Sequence, residues 1–422
     1  MAAMKLVSQE RLSLFEAITS YLPPSLLTCI TTPETAALLK HVTVKHLLSH
    51  TSGLTVHGLP GYDGPGLPDV DTILSGQAPT NTLQIRLAGF PGCRFAYSGG
   101  GYMILQMILE LITSKCFADL MHELVFEPLQ RTRSSYRTPG RGDNYASSYY
   151  TGYTKMESRF HIYPEQAAAG LWTTPSDLLK VVKALQDSVA PSSDTIAFWP
   201  RDMAKEMLTG ISDGYGIGWN VSYKGDSAAG VPSAIQHSGD NHGFKCHLFG
   251  FLPESFEAKS DCGAKKKDTT LESSGVCVMT NSGQGYDVVC KIMHALAYIK
   301  GWPTLANEAQ KNMVIVPFSC SQSEEIPYVK YEETWQDWTG RWAQEWSLVN
   351  VRGVPQMQFQ NLPAVQLLPA AISATLQEGR PCFNFVAEGL DVMVKLGWRH
   401  DLRVIDVWHG GRGDITALER PS

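Results

Sequence analysis

No two of the nine cysteines form a C-x-x-C pair, which removes the usual spacing of zinc sites and dithiol redox centres. They are an odd number, spread from Cys29 to Cys382. That distribution points to small buried thiols rather than a disulfide framework. Long hydrophobic runs are also missing. The longest, Tyr102 to Ile112, is interrupted by Gln106 and Glu110 and is too short to span a bilayer. The opening residues, MAAMKLVSQERLSLF, hold no apolar stretch of signal-peptide length. On that ground a cytoplasmic location is expected, and the sequon Asn220-Val221-Ser222 is read as chance. Charge is sparse and nearly balanced, with 35 basic against 41 acidic residues. The basic residues are scattered, so neither a nucleic-acid nor a membrane partner is expected. Three catalytic signatures are absent as well. There is no G-x-S-x-G elbow, no Walker loop, and no second histidine to complete a zinc motif with His122-Glu123.

What remains is a soluble globular composition, 43% hydrophobic and 18% charged over 422 residues, ample for one large or two medium domains. AAMKLVSQ reads as the interior of a helix, entered without a Ser, Thr, Asp or Asn cap. Thr43 is placed to cap a helix running through Leu47, Leu48 and His50, with Gly53 in the left-handed position that ends it. Residues 55–92, rich in Gly and Pro, read as a loop excursion. A helix is predicted from about Tyr102 to Lys115, with Ile104, Met107, Ile108 and Leu111 on one buried face, and another from Phe117 towards Val125. Thr174-Pro175-Ser176-Asp177 reads as a capping box opening LLKVVKAL.

From about Ala234 the periodicity changes to strands over Ala234–Ser238, Phe244–Phe251 and Gly275–Thr280, closed by a helix over Tyr286–Tyr298. The Lys265-Lys266-Lys267 run lies in a Ser-rich insertion and reads as a solvated stretch. Three units follow: residues 1–317, a polar linker at 318–330, and a small β-rich domain at 331–422. Trp335, Trp338, Trp342 and Trp346 open the last unit, and core packing is the expected role for them.

Four segments carry a family signature. Val42–Leu54 reads VTVKHLLSHTSGL. Phe95–Tyr102 reads FAYSGGGY, and Ala167–Asp177 reads AAAGLWTTPSD. His237-Ser238-Gly239 is followed by Asn241-His242-Gly243-Phe244, and Tyr215-Gly-Ile-Gly-Trp219 fits as well. In this order, over about 300 residues, the chain resembles the β-lactamase-related serine hydrolases. These include penicillin-binding proteins, class C β-lactamases, esterases and acyltransferases. The resemblance implies an α/β fold in which an antiparallel sheet is covered by helices beside a helical region, with a small C-terminal antiparallel β domain.

It also implies acyl transfer through a covalent ester on a small ester, amide or thioester, with neither metal nor organic cofactor. Tyr97 would then face the nucleophile across the cleft, and His237 would stand on the strand lining it. Asp240 would offer a backbone N–H to the oxyanion, while Gly99, Ser238 and Gly239 would contact substrate. Gly99 departs from the family's more usual Asn. The larger departure is the nucleophile, because no lysine in residues 1–422 has serine three positions before it. Ser98 and Ser238 have no base placed for them by the sequence, and His50, between Ser49 and Ser52, reads as a packing or capping residue. Two readings stay open. Either Ser-x-x-Lys is encoded upstream of Met1, or the chain is a non-catalytic relative that binds a small acylated ligand or a partner protein. Oligomeric state is not readable.

Overall fold

The computed structural model describes residues 1–64, 66–140, 142–150, 154–190, 197–212, 214–224, 231–253, 274–300, 302, 335–342, 346–377, 380–388, 390, 392–399, 402–409 and 414–419. The expected linker at 318–330 and the Lys265-Lys266-Lys267 run lie outside the described residues. Helix α1 (Ala2–Ser8) is followed by the short helices α2 (Pro24–Cys29), α3 (Ala36–Leu39), α4 (Val44–Leu48) and α5 (Val70–Ser75). Then come α6 (Gly99–Thr113), α7 (Phe117–Met121), α8 (Gln166–Ala169), α9 (Pro175–Val189) and α10 (Arg201–Leu208). Strands β1 (Asn220–Lys224), β2 (Val231–Asn241), β3 (Phe244–Phe251) and β4 (Gly275–Thr280) form an antiparallel sheet in that order, followed by α11 (Gly285–Lys300).

This sheet is buried on both faces. Ile235 and Leu248 join Val181, Val182 and Leu185 of α9 in the main core. Ala234, Phe249, Val276 and Val278 point the other way, onto Val289 and Met293 of α11. The alternation of neighbouring residues between two cores is the strand period of two expressed as packing. Gly250 is required by the close approach of α9, since a Cβ there would stand 2.3 Å from Val182 Cγ1. Gln186 of α9 satisfies the sheet's end by donating to the carbonyls of Phe251 (2.7 Å) and Ser274 (3.2 Å).

Thr174 caps α9 as the sequence indicates, its hydroxyl accepting from the Asp177 N–H at 3.3 Å. Asp177 does not complete a capping box. Its carboxylate turns instead to the Arg133 N–H and the Ser134 hydroxyl, both at 2.9 Å, and to Lys180 at 2.8 Å. α6 begins earlier than the apolar spacing indicates, because Ser98 caps it through the Gly101 N–H (2.8 Å) and draws all three glycines into the first turn. Leu111, expected on the buried face, is 48% exposed. From Met103 to Leu109 the helix is enclosed all round and no single face is defined; beyond Leu109 it emerges from the core. After α7 the backbone widens into one π-helical turn over His122–Phe126.

The C-terminal part is an eight-stranded antiparallel meander of β5 (Gly340–Trp342), β6 (Trp346–Val351), β7 (Val354–Phe359), β8 (Val365–Gln377), β9 (Arg380–Ala387), β10 (Val392–Arg399), β11 (Leu402–His409) and β12 (Asp414–Leu418). Trp338, Trp342 and Trp346 are fully buried. The Trp338 ring meets the edges of Phe383 and Trp398, and Trp346 packs edge-on against Phe90 at 5.3 Å, joining this sheet to the helical part. Among the described residues, no helix is long and apolar enough to cross a membrane.

Candidate active site

A cleft of about 1270 Å³ lies where α1, α8 and the β2–β3 hairpin converge. β1 pairs with β2 only as far as Gln236. Among the described residues, the β2 edge from His237 to Asn241 therefore has no neighbouring strand on that side, and these five residues line the cleft. The hairpin tip is tied down at several points. Asn241 donates across the cleft to the Ala169 carbonyl (2.8 Å), and the His242 N–H donates to the Tyr163 hydroxyl (3.2 Å). Gly243, at φ +74°, presses on Ser148, where a Cβ would come within 2.5 Å of the serine Cβ.

Behind the strand is a buried aromatic stack. Thr43 caps α4, and His46 supplies the return half of the box, its Nδ1 accepting from the Thr43 N–H at 3.2 Å. The left-handed residue that follows α4 is His50 (φ 55°), three positions before the expected Gly53. Gly53 is also left-handed, but it serves contact with Gly89, whose carbonyl would lie 2.4 Å from an added Cβ. The His50 ring is stacked between Tyr97 (4.0 Å) and Tyr102 (4.8 Å), with Tyr215 edge-on at 5.1 Å. Its Nδ1 accepts from the Ser98 N–H at 3.1 Å. Burial, then the nearby His237 and His57, pushes His50 down to about 3, so it is neutral and structural at ordinary pH.

Tyr97 and His237, more than a hundred residues apart in sequence, have ring centroids 6.5 Å apart. His237 lines the cleft; Tyr97 is not among the lining residues. The His237 Nδ1–H donates to the Ser238 carbonyl (2.7 Å), and the Tyr215 hydroxyl reaches Nε2 at 3.4 Å. Desolvation lowers the His237 pKa and raises those of Tyr97, Tyr102 and Tyr215. These groups form a neutral, hydrogen-bonding wall at neutral pH.

The remaining candidates differ in position. Ser238, Gly239 and Asp240 line the cleft, and the Asp240 carboxylate is paired with Lys245. Gly239 faces its cross-strand neighbour Cys246, whose Sγ would lie 2.5 Å from an added Cβ, so a side chain here would have to displace that thiol. Gly99 is buried and does not line the cleft. Its side-chain direction is closed by the His57 carbonyl at 3.1 Å and by Leu59. Ser98 is buried with its hydroxyl committed, capping α6 and donating to the Thr55 carbonyl at 2.9 Å. Cys246 also lines the cleft, but burial pushes its thiol up to about 11, far from a reactive thiolate. Among the described residues, no group of His, Cys, Asp and Glu is arranged to hold a metal ion.

Sequence reasoning passed over Arg131, which lines the cleft and is 3% exposed. It follows Gln130, a non-glycine at φ 52°, and nothing in Leu129-Gln130-Arg131 marks the guanidinium as buried. Trp172 was read only as part of a motif, and it too lines the cleft.

The Beta-lactamase family model matches residues 1–297, and the chain belongs to that family. Penicillin-binding protein 4* of Bacillus subtilis (strain 168) is 27% identical over 271 residues, covering 58% of this chain. The aligned stretch spans 57% of that relative's length, a little over half. The octameric penicillin-binding protein homologue from Pyrococcus abyssi matches in fold with a TM-score of 0.51 at 18% identity, over 99% of this chain and 85% of that one. The fold is thus that of the β-lactamases and penicillin-binding proteins, with a C-terminal antiparallel sheet.

Proposed function

We propose that residues 1–422 build the substrate cleft of a β-lactamase-family serine hydrolase or acyltransferase for a small ester, amide or thioester. The supporting observation is the open β2 edge at His237–Asn241, which presents strand backbone to a cleft large enough for a small acyl compound. Among the described residues, Ser49, Ser98 and Ser238 do not combine a free hydroxyl with a neighbouring base. Ser98 is a cap, Ser49 donates to the Lys45 carbonyl at 2.8 Å, and Ser238 stands beside a His237 already bonded at both nitrogens. In this reading the three serines hold no nucleophile, and the cleft takes its acyl ligand without an acyl-enzyme. Losing a serine nucleophile costs on the order of 10⁶ in rate.

The test pairs covalent labelling with binding. A fluorophosphonate and a fluorescent penicillin are expected to leave the purified 422-residue chain unlabelled. A short-chain thioester is expected to perturb the fluorescence of Trp172 in the cleft, an effect lost in Trp172→Phe. Stoichiometric labelling of any serine would overturn the non-covalent reading. Absence of any ligand-dependent change would overturn the cleft assignment.

A further inference from the structure

Tyr215, which opens Tyr215-Gly-Ile-Gly-Trp219, is 1% exposed, and its single hydroxyl proton lies between two acceptors. On one side is His237 Nε2 at 3.4 Å. On the other is the Tyr102 hydroxyl, whose own proton goes to the Leu48 carbonyl at 3.1 Å. The second imidazole nitrogen is committed as well. A carbonyl can only accept, so Nδ1–H donates to Ser238 at 2.7 Å. Neutral His237 therefore leaves three protons for four links in the chain Ser238–His237–Tyr215–Tyr102–Leu48. The 3.4 Å approach at Nε2 is long for an O–H···N bond, as a link without a proton would be.

A second proton on His237 removes the shortfall. Nε2–H then donates to Tyr215, Tyr215 to Tyr102, and Tyr102 to Leu48, with every acceptor filled. The rings are already fixed for this, because the His50 imidazole packs against Tyr102 at 4.8 Å and Tyr215 at 5.1 Å. Burial opposes the added charge, as do His50 and His247, which face His237 from the helical part and from β3. Tyr97 stands 6.5 Å away, and Asp240 on the same edge is already paired with Lys245.

We infer that Tyr215 and Tyr102 are positioning residues for His237, holding a place for a second proton on its Nε2. The open β2 edge can thereby change from neutral to singly charged, whichever ligand the cleft takes. NMR of the full chain carrying isotope-labelled histidine, assigned through His237→Gln, reads both ring nitrogens. The neutral form is expected to be the Nδ1–H tautomer, with Nε2 gaining its proton as pH falls. Tyr215→Phe should move the titration midpoint down by roughly one pH unit, the weight of one hydrogen bond to a charged group. Tyr102→Phe should also lower it without touching His237, because the Tyr215 proton then turns to Nε2 and favours the neutral ring. In the Tyr215→Phe background, Tyr102→Phe should add nothing. An Nε2–H tautomer in the unmodified chain would overturn the inference, even where a variant does not fold. So would a His237 that takes no second proton anywhere the chain stays folded. A midpoint unchanged or raised by Tyr215→Phe would do the same, as would a Tyr102→Phe effect that persists without Tyr215.

Discussion

In the four-stranded sheet, β2 runs past its neighbour and leaves five residues of open edge against a cleft. In the eight-stranded sheet, every strand from β6 to β11 has a neighbour on each side, although β7 meets β8 only at Gln356 and Met357. The first sheet carries histidine, serine and aspartate at its open edge; the second carries tryptophan and aliphatic side chains inward. β7 alternates half-buried and buried residues without a break, and Val392, Val394, Leu396 and Trp398 of β10 all point into the core. Open backbone in a sheet invites pairing, so an edge left open and lined by polar groups signals use, whereas closed pairing with regular alternation signals packing.

The strongest way to break this comparison is to damage the closed sheet and watch the open one. Trp338→Ala should cost about 3–5 kcal/mol, the range for truncating a buried aromatic. Affinity of the folded variant for the short-chain thioester should be unchanged. Urea denaturation and calorimetric titration measure the two quantities, and a parallel fall in affinity would show that the sheets do not divide the labour.

Acid is the next largest perturbation, and it acts on the wall behind the open edge. His50 is held at about 3 and His46 at about 4, in each case chiefly by burial, against an ordinary 6.5. A base depressed in the folded state adds stability that is complete above 6.5 and lost as pH falls towards the folded value. The slope approaches about 1.4 kcal/mol per pH unit for each histidine, or roughly 2 kcal/mol each between pH 7 and 5. Protonating His46 at Nδ1 would also remove the acceptor for the Thr43 N–H and open the cap of α4. Denaturation curves at pH 7 and 5 should therefore differ, and His50→Phe should reduce the difference. Superimposable curves for the unmodified chain would refute the assignment.

A smaller effect sharpens the comparison within the open sheet. Gly239→Ala places a methyl against Cys246 Sγ and should cost about 1–3 kcal/mol, as overpacking does. Adding Cys246→Ala should recover most of it, and a double-mutant cycle measures the coupling. Lack of recovery would mean that the glycine serves the ligand rather than its cross-strand neighbour.

What could be read from the sequence divides along physical lines. Thr174-Pro175 announced α9, because capping is local chemistry, and alternation announced β3 and β4. The ordered motifs announced the family and brought Tyr97 and His237 towards one another. Strand β1 was missed, since NVSYK is short and ends at Lys224 without a clean alternation. The left-handed turn was assigned to Gly53 by propensity, yet His50 takes that conformation because stacking on Tyr97 and Tyr102 outweighs the local cost. The roles of Gly99 and Gly239 depend on His57 and Cys246, partners that no local pattern reveals. Arg131 was illegible for the same reason: its burial is set by Phe126 and by Thr173, forty-two residues on, and no local pattern reveals them.

The anchoring of the hairpin tip has a kinetic consequence. Asn241, His242 and Gly243 are each held by a different segment, at Ala169, Tyr163 and Ser148. A ligand arriving at His237–Asn241 meets a wall whose rotational and backbone freedom was already surrendered on folding. Little further ordering is then charged to binding. Encounter should proceed without a slow rearrangement, and differences between ligands should be expressed in how long each stays rather than how fast each arrives.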